Sequence, residues 1–196
     1  MTKDEALIIL KNTSPLKITV SGDIGAGKST FAKKLAEILE IPRIYMGQFM
    51  REEAAKRKMT FDELRKLLEK DPSLDHQLDE LQSERSLYIQ RGIFEGRTSW
   101  HFVQDPTIKV YLSVDSNIAT ERIWRDRDDK RDKYGTIEAL RTANEERKRS
   151  DISRYQKYYG IDVYNTTNYD VVIDTTNLDV DEVFEKTIVK IAQKLK

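Results

Sequence analysis

One stretch restricts this chain more than any other: Gly22-Asp23-Ile24-Gly25-Ala26-Gly27-Lys28-Ser29, followed by Thr30. It stands between the apolar run Leu16-Lys17-Ile18-Thr19-Val20 and an amphipathic helical pattern that begins near Ser29. That is G-x-x-x-x-G-K-S in a strand–loop–helix setting, the context that gives the motif its meaning. Glycines let successive backbone N–H groups turn toward one point, as a polyphosphate requires. The N-terminus of the following helix adds free donors and partial positive charge. Residues 22–30 are therefore predicted to cradle a nucleoside triphosphate, with Lys28 reaching its β- and γ-phosphates and the Ser29 hydroxyl available to Mg²⁺.

Composition narrows the field. A length of 196 residues suits one domain with a sizeable core. The 34 basic residues balance 34 acidic ones, so no global field favours nucleic acid or a membrane surface. The absence of cysteine excludes disulfides, thiolate metal sites and cysteine nucleophiles. His76 and His101 are too few for a histidine-rich metal site and read as ordinary packing or surface residues. The apolar run Ala6 to Leu10 is too short for a signal or a membrane span, so a cytoplasmic protein is the expectation; a monomer is expected separately, with no sequence feature that fixes it.

Along the chain, Ala6, Ile9 and Leu10 predict a short helix before the first strand, with no evident function. Phe31, Leu35, Ile38 and Leu39 stripe a core-facing helix that stops before Pro42. Arg43 to Met46 is a brief second strand, and Gly47 opens the next turn. Residues 48–90 read as helical throughout, with a capping box at Thr60-Phe61-Asp62-Glu63 and a stripe of Leu74, Leu78, Leu81 and Tyr88. The third strand ends at Glu95-Gly96-Arg97, and Ile108, Val110, Leu112 and Val114 alternate along a fourth. Asp115 or Ser116 caps a helix through Ile118, Ile123 and Trp124. Nine consecutive charged residues, 125–133, follow. A long helix then runs from about Thr136 to Tyr159 and stops at Gly160. Tyr169 to Asp174 is a fifth strand, and Val183, Phe184, Ile188, Ile191 and Leu195 mark a final helix. Strands separated by helices give an α/β P-loop NTPase fold: a five-stranded parallel sheet with helices on both faces. It is a single domain, with its core at 14–47, 91–124 and 160–196 and a helical insertion at 48–90.

A phosphate loop serves motors, GTPase switches and kinases alike. No Asn-Lys-x-Asp guanine reader occurs, and no long apolar strand ends in an acidic pair. The chain offers arginines instead: Arg51 in the insertion, Arg97 at a strand end, Arg122, Arg125, Arg127 and Arg131 in and before the charged run, and Arg147 and Arg154 on the long helix. Arg147, Asp151, Arg154 and Tyr158 share one helix face. Two arginines flanking a carboxylate suit a phosphate with a neighbouring sugar hydroxyl or base amine; a solvated face laced by local ion pairs is the other reading. Trp100 reads as a core or interface residue rather than a base stacker, and Tyr155, Tyr158 and Tyr159 as helix-packing residues.

The chain resembles the nucleoside monophosphate kinases, and within them the short, archaeal-like cytidylate kinases. The resemblance rests on residues 18–37, Gly47-Gln48-Phe49-Met50-Arg51, Phe94-Glu95-Gly96-Arg97, Glu121-Arg122-Ile123, the Arg147–Arg154 face with Tyr155 to Asp162, and Tyr169 to Thr176. It implies transfer of a phosphoryl group from ATP to CMP or dCMP with Mg²⁺. Residues 48–90 are then the monophosphate lobe and residues from about 125 to 135 a lid over ATP. Gly47 opens the acceptor site, Arg51 and Arg97 hold the acceptor phosphate, and Arg147 and Arg154 bridge the phosphates. Asp151 takes the sugar or base side. Arg125 and Arg127 neutralise the migrating group, and Glu95 orders the water shell of the ion. Arg154 is expected to face solvent in the open state. Gln48, where relatives carry an acidic residue, and Ser99-Trp100-His101, where they carry small ones, bear on which base is accepted. A kinase for another acceptor (AMP, UMP or a small metabolite) and a silent nucleotide-binding regulator are the competing readings.

Overall fold

The computed structural model describes residues 1–126 and 134–196. Five parallel strands, β1 (Leu16–Gly22), β2 (Arg43–Tyr45), β3 (Arg91–Glu95), β4 (Ile108–Ser113) and β5 (Val171–Asp174), form one sheet in the order β2-β3-β1-β4-β5. Every residue of β1 is buried, as a central strand covered on both faces must be. Leu16, Ile18 and Val20 of β1 join Ile108, Val110 and Leu112 of β4 in the main core. That core is closed by α1 (Lys3–Asn12), α2 (Lys28–Leu39) and α9 (Val180–Lys194). Tyr111 of β4 alternates to the other face and packs on Tyr169, with ring centroids 4.9 Å apart; Trp100 of the short α6 (Ser99–Phe102) lies 5.7 Å beyond. Trp100 thus packs in the protein, as its sequence context suggested.

The insertion comprises α3 (Met46–Lys56), α4 (Phe61–Leu68) and α5 (Ser73–Tyr88), held together by Ala54, Leu64, Leu68 and Leu74. The Thr60–Glu63 capping box forms in both directions. The last helices are α7 (Ser116–Arg125), capped by Asp115, and α8 (Ile137–Tyr159), capped by Thr136 and ended by Gly160 in the left-handed conformation. Among the described residues no helix is long and apolar enough to cross a membrane.

Four expectations change. Met46 and Gly47 belong to the first turn of α3, not to β2 and a turn, because β2 pairs with β3 only through Tyr45. The buried face of α5 is Leu74, Asp75, Asp79, Gln82 and Ser86, while Tyr88 is exposed. That face meets a polar network on Thr98, Ser99 and Gln104 and is not a leucine stripe. Trp124 is also exposed, since α7 buries Ala119 and Thr120. Strand β5 starts at Val171; Tyr169 follows a single 3₁₀ turn at 166–168.

Candidate active site

All five strands run toward one edge of the sheet, and the functional side chains gather beyond their carboxyl ends, as expected of an open α/β sheet. A cleft of about 570 Å³ opens there, lined by residues 24–30, the inner faces of α3 to α5, the end of β3 and α8.

The loop after β1 takes its shape from glycine. Gly22 has φ +148° and lies so close to β4 that a Cβ would collide with the Leu112 carbonyl. Gly27 has φ +83° and starts α2 without a side-chain cap. The first helical bond runs from Phe31 N–H to the Gly27 carbonyl (3.0 Å), which leaves the N–H groups of Lys28, Ser29 and Thr30 without intrahelical acceptors. Lys28 Nζ bends back to donate to the carbonyls of Gly22 (2.9 Å) and Asp23. Burial, and next the positive charge of Arg97, push its pKa down to about 7. Gly22 and Asp23, expected among the nucleotide-binding residues, do not line this cleft. The Asp23 carboxylate accepts from Tyr111 OH (3.0 Å) and Val114 N–H (3.2 Å) and faces Lys148 at 3.7 Å. Asp23 therefore anchors the loop to β4 and α8.

At the foot of the loop Ser29 Oγ donates to Glu95 Oε1 (2.5 Å), and the other Glu95 oxygen accepts from Arg43, through Nε at 2.8 Å and through Nη2. Arg43 escaped the sequence reading, because a lone arginine in a three-residue strand gives no signal. Arg122 lines the cleft and ties α7 to the segment after β5, donating to the carbonyls of Thr175 (2.7 Å), Thr176 (3.3 Å) and Leu178 (3.1 Å).

The acceptor half is a set of arginines in two states of pairing. Arg97 Nε meets Asp151 Oδ2 at 2.6 Å, and Tyr164 OH donates to the same oxygen at 3.1 Å. Arg154 Nη2 donates to Asp151 Oδ1 (3.2 Å), and Arg154 Nε lies 3.3 Å from Asp75 Oδ2. Burial opposes the charge on both guanidiniums, but their anionic neighbours outweigh it and hold them above the ordinary arginine value. Arg51 and Arg147 differ: among the described residues neither has a carboxylate within ion-pair distance. Arg51 donates to Tyr45 OH (2.7 Å) and Gly47 O (3.3 Å), while Arg147 stacks over Phe61 at 4.7 Å. Burial, and then Arg97, push Arg147 down to about 10. Arg154 is only 5 % exposed, which corrects the expectation of a solvent-facing residue; two carboxylates draw it inward.

Lys28, Ser29, Gly47, Arg51, Glu95, Arg97, Arg147, Asp151 and Arg154 all line this one cleft. Arg125 does not join them: its side chain is 79 % exposed and pairs with Glu121 at 3.2 Å. Arg127 lies outside the described residues. Sequence reasoning missed Asp75 and Asp79, which line the cleft from α5. Burial raises Asp75 to about 6 despite Arg154, and raises Asp79 despite hydrogen bonds from Tyr159, Thr98 and Gln82. Their four-residue spacing beside Leu74 and Leu78 was the available signal.

A triphosphate loop joined to a cleft of arginines on a five-stranded parallel sheet defines a P-loop phosphotransferase. Solved structures agree on the fold. Shikimate kinase from Acinetobacter baumannii superimposes with a TM-score of 0.57 at 16% identity, covering 97% of this chain and 98% of that one. A protein from Eubacterium ventriosum reaches 0.62 at 20%, covering 91% and 98%. A family model described as the cytidylate kinase-like family matches residues 17–177. The cytidylate kinase of Archaeoglobus fulgidus is 34% identical over 170 residues, 87% of this chain and 91% of that protein. That of Methanothrix thermoacetophila is 36% identical over 163 residues, 83% and 90%. The chain belongs to the cytidylate kinase-like family.

Proposed function

We propose that the protein transfers the γ-phosphoryl group of ATP to CMP or dCMP, giving ADP and CDP or dCDP. The observation that carries this reading is the pair Arg51 and Arg147: two guanidiniums that line the cleft with Lys28 and Arg97 and have no carboxylate partner among the described residues. Such charges suit phosphate oxygens. An uncharged alcohol acceptor would leave them uncompensated.

The donor's phosphates occupy the loop, with backbone N–H groups from the start of α2 and the Lys28 ammonium on the β- and γ-oxygens. Phosphate arrival draws Lys28 away from its two carbonyls and favours its protonated form. Arg51 and Arg97 fix the acceptor phosphate from the opposite side, and Arg147 spans the two nucleotides. An oxygen of the acceptor phosphate forms the new P–O bond as the bond between the γ-phosphorus and the β,γ-bridging oxygen breaks, and ADP leaves with that oxygen. The attacking oxygen is already an anion, so no general base is required. Catalysis is then positioning and charge neutralisation. Asp151, already accepting from three donors, orients Arg97 and Arg154 and keeps one face toward the ribose. Residues 48–90 act as the acceptor lobe and residues from about 125 to 135 as a lid. Arg125, which pairs with Glu121, and Arg127, outside the described residues, are the lid charges assigned to neutralise the transferring group.

Ser29 and Glu95 bring hard oxygen donors together at 2.5 Å, a set that suits Mg²⁺ held jointly with phosphate oxygens and water. Among the described residues no group of three or more acidic or histidine side chains could hold a metal unaided, in keeping with an ion that arrives with the nucleotide. Bound there, it would neutralise charge on the β- and γ-phosphates. One chain supplies every residue invoked, so the reading requires no second copy at the site.

A coupled ADP-release assay with CMP, dCMP, UMP, AMP and GMP tests the reading. CMP or dCMP should give the highest kcat/KM. Equal ADP release with and without every monophosphate would refute it, as would a preference for AMP.

A further inference from the structure

Tyr45 ends β2 at the carboxyl edge of the sheet, opposite Glu95 of β3 in the strand register, and it lines the cleft. Strand alternation puts Arg43, two residues earlier, on the same face. The Arg43 guanidinium carbon stands 4.4 Å from the centre of the Tyr45 ring, and Arg43 is itself held by its bonds to Glu95. Gly47 bounds the ring as well. A Cβ at that position would come within 2.6 Å of the ring carbon Cε2 and 2.9 Å of the hydroxyl oxygen. The missing side chain at Gly47 is thus what gives the ring its place.

So seated, the phenol meets Arg51, whose Nη1 donates to Tyr45 OH at 2.7 Å. That bond uses a lone pair of the hydroxyl and leaves its proton over: among the described residues Tyr45 OH donates to no acceptor. A neutral acceptor fixes the guanidinium without cancelling its charge, as a carboxylate would. A cation that donates to the phenol oxygen also polarises the O–H bond and makes it a stronger donor. Burial, then Arg97 and further down Arg51, lower the pKa of Arg147 to about 10, so these guanidiniums share one space. An anion held there by Arg51 lies beside the phenol too.

Resting on the nucleoside monophosphate reading, we infer that Tyr45 is a further acceptor-phosphate-binding residue: its hydroxyl accepts from Arg51 and donates its own proton to an oxygen of the acceptor phosphate. A phenol has a single O–H to give, so it fixes one terminal oxygen. With that oxygen held, and Arg51 beside it, the phosphate no longer rotates freely and a different oxygen faces the γ-phosphorus. The phenol keeps its proton throughout and takes no part in bond making.

The test measures calorimetric binding of CMP, and of cytidine, which lacks the phosphate, to the intact enzyme, Tyr45→Phe, Arg51→Ala and the double variant. Phenylalanine keeps the ring against Gly47 and Arg43, so the thermal unfolding midpoint and the KM for ATP should stay those of the parent. Loss of the hydroxyl should weaken CMP binding about 10- to 10²-fold, the range of one hydrogen bond to a charged group, and leave cytidine binding unchanged. In the Arg51→Ala background the same change should still weaken CMP roughly 5-fold or more, because the hydroxyl holds the phosphate itself. No further loss in that background would show a phenol that only positions Arg51. That result would overturn the inference and leave the kinase reading intact, as would CMP bound equally well by Tyr45→Phe and the parent, or equal weakening of CMP and cytidine. Failure of the intact enzyme to phosphorylate any monophosphate would overturn both.

Discussion

Arg154 and Arg147 lie seven positions apart on one helix face and yet serve opposite electrostatic ends. Arg154 is balanced by Asp75 and Asp151, both nearly fully buried, so it is part of the folded structure as well as of the site. Arg147 stacks on the Phe61 ring and has no carboxylate within ion-pair distance among the described residues, and burial and Arg97 hold its guanidinium below its ordinary value. Replacing Arg154 by Ala should therefore cost about 3–5 kcal/mol in urea unfolding at pH 7, because it strands the buried Asp75 carboxylate and takes one donor from Asp151, which keeps Arg97 and Tyr164. The sign of its pH dependence follows from Asp75. Its carboxyl titrates near 6 in the folded protein and near 4 in the unfolded chain. Below about pH 4 it is neutral in both states; as pH rises toward 6 and beyond, the folded protein must carry the buried charge that Arg154 balances. The penalty of Arg154→Ala should accordingly be larger at pH 7 than at pH 5. A variant as stable as the parent at pH 7 would show that the buried pair contributes nothing.

At the scale of elements, the segments were legible where local chemistry and tertiary role coincide. The β1–loop–α2 unit could be read because glycine spacing, the following Lys-Ser and an apolar strand all specify one structure. Helix α8 was bounded to within a residue by Thr136 and Gly160, residues whose capping is local. The inward face of α5 was not legible. Asp75, Asp79, Gln82 and Ser86 are buried for partners on α6 and α8, and polar residues of this kind resemble a solvated surface until those partners are known. Helix α1 had no assigned role for a similar reason, yet Ala6 and Leu10 are fully buried against α9 and α2. Arg91 of β3 further donates to the carbonyls of Thr13 and Leu10. Both α1 and α9 fall outside the 17–177 span of the family match and pack on one another, so the core draws on residues on both sides of that span. Leu10→Ala should cost roughly 2–5 kcal/mol in stability, with kcat at saturating substrate unchanged below the unfolding temperature. A parallel loss of kcat would place α1 in the catalytic machinery instead.

For the whole molecule, the sheet order brings the loop of β1, the Glu95–Arg97 end of β3 and the long α8 to one carboxyl edge, and it is this convergence that turns separate arginines into a cleft. The sequence could name most members of that cleft, since charge at fixed helical spacing is visible in one dimension. It could not tell which arginines are balanced and which are free, because the balancing carboxylates come from helices far apart in the chain. The central claim is that the free cations serve a second phosphate, so that the γ-phosphoryl group goes to a nucleotide and not to water. Its most direct test incubates the enzyme with Mg²⁺, CMP and ATP labelled at the γ-phosphorus, then follows the label. The account predicts label in the β-phosphate of CDP with little release as inorganic phosphate; label appearing only as inorganic phosphate, or remaining in ATP, would contradict it.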